Sequence, residues 1–412
     1  MTTMNLNAQN TGGISIDQLQ TMRQKHEANP STTAITNALS NGNVKDLALN
    51  RENLGKTDHY FKYKVKVTGI TDQKSSGRCW MFTGLNILRP NIIEKNNLES
   101  FEFSTKYLYF FDIHEKSNLF LQEIINTVNL PMDDKRVEWL FRSPVGDGGV
   151  WNSVGNLIEK YGAVPKQVMP ESKNSENTAM MIRIIRRKLR EDGLELRDMM
   201  ANRKPADTVQ QKRKNEMLSE IYHILAVNLG QPPVDFEYRF VDKDGKIGEN
   251  KKYTPISFFN YCLADVNFDD YIMLMNDPSR PYHKLYEIDM DRNVLEGRNW
   301  TYINLPSDEI KQFALASIKD NEAMYSSCDV GKQLNKDAGL LATNNYDYES
   351  LYGITFGMDK KQRVITRESG SSHGMALMAV DVDDNEMPTK WQVENSWGEK
   401  AGHEGYLTIT DK

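Results

Sequence analysis

A cysteine, a histidine, an asparagine and a glutamine, far apart in the chain, have the types and contexts that acyl transfer needs. A thiol is a strong nucleophile only as the thiolate, and a helix N-terminus favours that form through its free N–H groups and about half a positive charge. Cys79 follows a Gly-Arg turn in "DQKSSGRCWMFTGLNIL" and opens an apolar run, which places it at such a terminus. The same position suits a small buried hydrophobe, the usual fate of a free cysteine. In "SSHGMALMAVDVDDNEMPTKWQVENSWG" two strands flank a polar turn. Folded as an antiparallel hairpin centred on Asp384, they set His373 opposite Asn395. An asparagine that accepts from one imidazole nitrogen fixes the tautomer and aims the other nitrogen outward, whereas a histidine on an apolar strand is often a satisfied core residue. Gln73 reads either as loop surface or, with the Cys79 N–H, as a donor pair for the oxyanion of a tetrahedral intermediate.

The elements that must carry these groups follow from periodicity. Ser15 and Gln18 form a capping box for a first helix, followed by a polar, small-residue stretch from 30 to 60 read as an extended arm. "FKYKVKVTGI" at 61–70 alternates like a strand. Cys79 to Leu88 reads as a helix, apolar on several sides and stopped by Pro90. Helical patterns follow at 103–130, 150–161 and, after a shift to charged composition, 171–228. Beyond a helix at 307–318 the chain reads as strands, including "EAMYSSCDV", "LYGITFGM" and "GYLTIT". "VDKDGKIGE" is read as a hairpin turn at Asp244-Gly245 rather than a calcium loop. The expected class is α+β, with a helix and arm at 1–60, a helical half at 61–170, an inserted, mainly helical domain at 171–305 and a β half at 306–412.

Bulk properties exclude several classes. Across 412 residues the hydrophobic share is 39%, the charged share 26% and the net charge −6, which gives no global drive toward nucleic acid or an anionic membrane. No apolar run approaches the ~18–20 residues of a membrane helix, and the polar N-terminus lacks a secretory pattern. Cys79, Cys262 and Cys328 are few, odd in number and far apart, which fits a reducing compartment and no disulfide framework. No metal-ligand spacing occurs. A cytoplasmic protein without metal or cofactor is expected.

The combined pattern has a family resemblance. Q-x5-C-W at 73–80, H-G at 373 and N-S-W-G at 395–398 resemble the papain-like cysteine peptidases in kind and order. By that resemblance the fold is papain-like, with a helical half and a β-barrel-like half, Cys79 is the nucleophile, His373 its base, Asn395 the orienting residue and Gln73 the oxyanion donor. "DGG" at 147–149 resembles the glycine pair that lines the substrate cleft, which assigns Gly148 and Gly149 to the substrate backbone. Trp397 would shield the histidine–asparagine bond from water. "QKSSGRCW", "EKYGAVPK", "MPES", "SIKDNEAMYSSCDVGK" and "KWQVENSWGEKAGHEGYL" are similar to the bleomycin hydrolase, or aminopeptidase C, branch over nearly the whole chain from about residue 55. That branch implies peptide substrates, an aminopeptidase activity, a helical insertion and a homohexameric ring. Its members extend past the strand matching "GYLTITDK" into an arm whose carboxylate holds the substrate's amino group. The sequence stops at Lys412, so the arm is expected to be absent and a papain-like endopeptidase is the alternative. An oligomeric nucleic-acid or peptide binder is a third reading, to which the basic runs "RIIRRKLR" and "QKRK" would belong.

Overall fold

The computed structural model describes residues 12–27, 31–203 and 206–411. Along the chain run α1 (Ile16–Glu27), α2 (Thr32–Asn41), α3 (Val44–Ala48), α4 (Cys79–Lys95), α5 (Thr105–Asn126), α6 (Lys135–Arg142), α7 (Trp151–Tyr161) and α8 (Lys173–Glu176). There follow α9 (Ala179–Arg203), α10 (Asp207–Leu229), α11 (Pro255–Leu263), α12 (Ser307–Lys319), α13 (Tyr348–Tyr352) and α14 (Lys360–Ile365). The strands are β1 (Tyr63–Lys64), β2 (Phe236–Tyr238), β3 (Lys251–Tyr253), β4 (Leu274–Met275), β5 (Lys284–Ile288) and β6 (Trp300–Asn304), then β7 (Met324–Cys328), β8 (Leu334–Asn335), β9 (Leu340–Leu341), β10 (His373–Val382), β11 (Pro388–Glu394) and β12 (Tyr406–Thr410).

The chain divides into two compact units, residues 1–56 with 344–357 and residues 57–343 with 358–412. In the smaller unit, the backbone N–H groups of Asn50 and Asp347 donate to Asn345 and Ala48 at 2.8 and 2.7 Å, tying α3 to the segment that leads into α13. The expected extended arm at 30–60 carries α2 and α3 instead: Asn43 caps α3 through its side chain, a local signal that the polar composition concealed. The capping box of α1 is present, with Gln18 N–H donating to Ser15 Oγ at 3.1 Å and Ser15 N–H to Gln18 Oε1 at 2.8 Å.

In the larger unit, α4 is the central element. Trp80, Met81, Leu85, Leu88 and Ile92 are all buried, so the helix is enclosed by α5, α7, α11 and β10. Pro90 does not stop it. The proline removes one backbone donor, but the helix is buried from Trp80 to Pro90 and runs on to Lys95. At Gly84 a Cβ would lie 2.6 Å from Val154, so a glycine is what lets α7 cross α4 closely. Thr71 and the Arg89–Glu394 ion pair fix the other side: Arg89 Nη2 to Glu394 Oε2 is 2.7 Å, and Asn86 Nδ2 donates to Thr71 Oγ1 and Glu394 Oε1, both at 2.8 Å.

The main sheet runs β1-β10-β11-β12-β9-β8, with β7 also on β10. It is antiparallel except for β9 on β12, and among the described residues it stays open rather than closing into a barrel. Met375, Val393 and Leu407 pack with Val330, Leu334 and Leu341. Val380 and Trp391 pack with Ala314 and Ile318 of α12. The strand expected at 61–70 shortens to Tyr63–Lys64, paired with Val380 and Ala379 of β10, and Val65 N–H adds one more bond to the Met378 carbonyl at 2.9 Å. The strand expected in "LYGITFGM" is absent, and its first residues end α13, capped by Asp347 and closed by Gly353 at φ +65°. Gly245 adopts φ +81° in the turn at Asp244-Gly245, as that turn requires.

α9 and α10 carry the charged segment. The basic run of α9 is committed within the unit: Arg186 Nε donates to the Val145 carbonyl at 2.5 Å, Arg190 to those of Phe141 and Arg142, and Lys188 pairs with Asp192 and Glu220. Among the described residues no helix is long and apolar enough to cross a membrane.

Candidate active site

Cys79 is the first residue of α4 and is half-buried. The residue before it, Arg78, offers no side-chain cap, and its carbonyl accepts from Met81 and Phe82. The N–H groups of Cys79 and Trp80 are therefore left to the site. Arg78 is itself buried and held by a two-pronged contact with Glu171 at 3.1 and 2.9 Å, its Nε donating to Ser76 Oγ at 3.0 Å. That contact fixes the turn that presents the thiol.

His373 opens β10, and its neighbour Gly374 closes on the start of α4. A Cβ there would lie 3.4 Å from Trp80 Cα and 3.0 Å from the Tyr325 hydroxyl. His373 Nε2 lies 2.8 Å from Asn395 Oδ1, with both side chains buried. The hairpin register differs from the expected one. Ala376 pairs with Glu394 and Leu377 with Val393, so Asn395 is not the cross-strand partner of His373 but reaches it diagonally from just beyond β11. The turn is centred on Asn385 rather than Asp384, with Asp383 N–H donating to the Met387 carbonyl, and this sets the offset, while the register shifts at Leu377/Ala379 and Asp381/Val382 cancel. The Trp397 ring stacks on the His373 ring at 4.8 Å and 26°.

Gln73 is buried and held on both ends of its amide. Its Oε1 accepts from Ser396 Oγ at 2.6 Å, its Nε2 donates to the Ser76 carbonyl at 2.6 Å, and its backbone N–H donates to the Ser396 carbonyl at 2.8 Å. One Nε2 hydrogen remains for another acceptor. Ser396 N–H also donates to Asn395 Oδ1 at 2.8 Å, so one serine ties Gln73 to Asn395. Asn395 Nδ2 is buried with no hydrogen-bond partner among the described residues.

Gly148 and Gly149 lie on the approach to α7. Gly149 stacks on Trp80, where a Cβ would sit 2.7 Å from the ring, whereas Gly148 is exposed and its carbonyl accepts from Lys116 Nζ at 2.6 Å. Asp147 anchors the loop: its carboxylate accepts from Gly77 N–H at 3.1 Å, Tyr109 Oη at 2.6 Å and Thr178 Oγ1. Its carbonyl accepts from Trp80 Nε1 at 2.5 Å. The sequence reading missed Ser396, Asp147, Lys116 and the Arg78–Glu171 pair. All but Lys116 lie inside a quoted motif, yet their roles arise from contacts between distant segments.

Burial pushes the Cys79 thiol up, and the N–H groups of Gly374, Trp80 and Cys79 itself pull it back down. The helix end acts in the expected direction but does not outweigh desolvation. Burial likewise pushes His373 down, against the hydrogen bond it donates to Asn395, which raises it. Among the described residues no cluster of three or more His, Cys, Asp or Glu side chains could share a metal ion.

Residues 13–412 match the Peptidase C1-like family. The chain belongs to that family. Aminopeptidase C of Streptococcus thermophilus is 38% identical over 400 residues, 97% of this chain and 89% of that protein. Human bleomycin hydrolase is 37% identical over 413 residues, 98% of this chain and 90% of that protein. A crystal structure of PepW from Lactobacillus rhamnosis superposes with a TM-score of 0.94 at 36% identity, covering 97% of this chain and 90% of that one. In the larger unit Gly374, next to His373, meets the Cys79 thiol, and Ser396 ties Gln73 to Asn395.

Proposed function

We infer that this chain is a cysteine-type aminopeptidase of the bleomycin hydrolase kind. The observation that carries the reading is the 2.8 Å His373–Asn395 bond, held against the uncapped start of α4 where Cys79 sits. With Nε2 committed to Asn395, His373 Nδ1 is the nitrogen free to exchange a proton with the thiol. Cys79 Sγ attacks the scissile carbonyl carbon as its proton passes to His373. The oxyanion is met by the free Gln73 Nε2 hydrogen and the Cys79 N–H. Collapse expels the peptide amine, which takes the proton from His373 and leaves a thioester on Cys79. His373 then draws a proton from water, the hydroxide attacks the thioester, and the thiol is regenerated.

Gly148 and Gly149 present backbone to the substrate chain, and Trp397 keeps water from the His373–Asn395 bond. The family resemblance extends the reading to a cytoplasmic homohexamer acting on peptides, with residues 171–305 inserted between the halves 61–170 and 306–412. The test is incubation with one peptide in free and N-acetylated forms, with products identified by mass. Stepwise loss of N-terminal residues from the free form supports the reading, and internal fragments from both forms would replace it with an endopeptidase.

A further inference from the structure

Four successive carbonyls on the approach to α7 are taken by side-chain donors. Arg186 Nε donates to that of Val145 at 2.5 Å, Lys116 Nζ to Gly146 at 3.0 Å, Trp80 Nε1 to Asp147 at 2.5 Å and Lys116 Nζ again to Gly148 at 2.6 Å. Lys116 also donates to Asp112, one turn back on α5, at 2.6 Å. An ammonium has three hydrogens, so this one is fully committed. Asp112 is buried, and its other oxygen accepts from Asn293 Nδ2 at 2.9 Å. The same Asn293 nitrogen donates to the Ser153 carbonyl of α7 at 3.1 Å, so the lysine's anchor is itself anchored.

Gly149 is where this pattern stops: among the described residues neither its N–H nor its carbonyl makes a hydrogen bond. It rests on the Trp80 ring, where a Cβ would come within 2.7 Å, and Lys116 Nζ lies 5.2 Å from the centre of the same ring. Trp80 directly follows Cys79, and the Asp147 carboxylate accepts from Gly77 N–H at 3.1 Å, so the segment is moored to the nucleophile's turn on both sides of the cysteine. The peptide that joins Gly148 to Gly149 is flanked by two residues without a Cβ, so its plane can turn at little steric cost. Lys116 decides which way it faces. The peptide is planar and trans, so a Gly148 carbonyl aimed at Lys116 sends the Gly149 N–H the opposite way, away from the ammonium.

We propose that Lys116 is a positioning residue: by holding the Gly146 and Gly148 carbonyls it aims the Gly149 N–H at a carbonyl of the substrate backbone. A donor without a partner inside the chain gains one when a peptide binds, and a donor fixed beforehand leaves less to be ordered at that moment. The lysine itself touches no reacting atom. The proposal rests on the reading above that Gly148 and Gly149 meet the substrate chain.

The test measures kcat and KM on one peptide for the unaltered chain, Lys116→Met, Lys116→Arg and a double variant that joins Lys116→Met to Asp112→Asn. Lys116→Met should raise KM about five- to tenfold, the scale of one hydrogen bond, with kcat within about twofold. The double variant should do the same without stranding the buried Asp112 carboxylate, and it carries the test if Lys116→Met alone does not fold. Lys116→Arg keeps the charge and several donors and should recover part of the loss. In both methionine variants Cys79 should react with iodoacetamide, which carries no peptide chain, at the rate of the unaltered chain, and with a peptidyl chloromethyl ketone about five- to tenfold more slowly. A lysine that merely supported the fold would slow both reagents alike or lower kcat as far as kcat/KM, and either result overturns the proposal. If the unaltered chain cleaves the peptide and the methionine variants keep its KM, the assignment of Lys116 falls alone. If the unaltered chain cleaves no peptide, the peptidase reading and the assignment fall together.

Discussion

Burial opposes a lone charge on either Cys79 or His373, so each group taken alone rests neutral. Transferring the proton from thiol to imidazole creates opposite charges that compensate one another within a poorly solvated site. The productive form is the one holding a single proton between the two groups. The acidic limb of the kcat/KM profile should therefore lie below the ordinary histidine value of 6.5 and the alkaline limb above the ordinary thiol value of 9.0. Asn395→Ala removes the hydrogen bond that raises His373 and should move the acidic limb lower still. An acidic limb that moves upward would contradict this account. Gln73→Ala should reduce kcat by about 100- to 1,000-fold with KM little changed, since one prearranged oxyanion donor is lost. Ser396→Ala should produce a smaller loss of the same kind, because its hydroxyl holds the Gln73 amide. An effect confined to KM for either variant would make Gln73 a ground-state contact. The sequence marked Cys79, His373, Asn395 and Gln73 as candidates because each type is chemically demanding and sits in a short, distinctive context. Ser396 and Asp147 were not, because what they do depends on which distant atoms face them.

At the scale of elements, what the sequence hid was governed by burial and by register. Pro90 lies inside α4 because tertiary enclosure outweighs one missing hydrogen bond. The β10–β11 offset could not be read from alternation, since moving the turn's centre by one residue shifts the pairing by two and leaves the pattern unchanged. Two contacts of α4 carry tests. Gly84→Ala should destabilise the fold by about 1–3 kcal/mol through its clash with Val154, and Val154→Ala in the same chain should recover much of that loss. Additive losses in the double variant would place the strain elsewhere. Glu394 is buried against Arg89, and burial raises its carboxyl from 4.5 to about 7 despite the arginine. Its folded value exceeds the ordinary one, so the stability it lends is present below about 4.5 and lost as pH rises through about 7. Glu394→Gln lacks that titration. The Tm advantage of the unaltered chain over this variant should shrink between pH 5 and pH 8, and an advantage that grows over that interval would reverse the sign of the argument.

At the scale of the whole molecule, apolar side chains stand exposed among the described residues. Ile16, Leu19 and Met22 recur along one side of α1 and are 72%, 37% and 53% exposed. A 12-residue helix is marginal in water without tertiary packing. In the larger unit Val234, Ile272 and Leu285 are 84%, 68% and 71% exposed. Leu285 lies on β5, an edge strand of its three-stranded sheet, where only one side is paired. Single exposed apolar residues are ordinary, but a stripe along a marginal helix and a hydrophobic residue on an open edge both gain from a partner surface. A homo-oligomer supplies such a surface with closed symmetry, and the family resemblance points to six copies. Light scattering should then give a mass near six chains of 47.3 kDa each. Replacing Ile16 and Met22 together with Glu should lower that mass, while Cys79 remains open to alkylation in the dissociated form. A mass of one chain for the unaltered protein, with α1 still helical by hydrogen exchange, would show that the stripe needs no partner and would remove the hexamer from this reading.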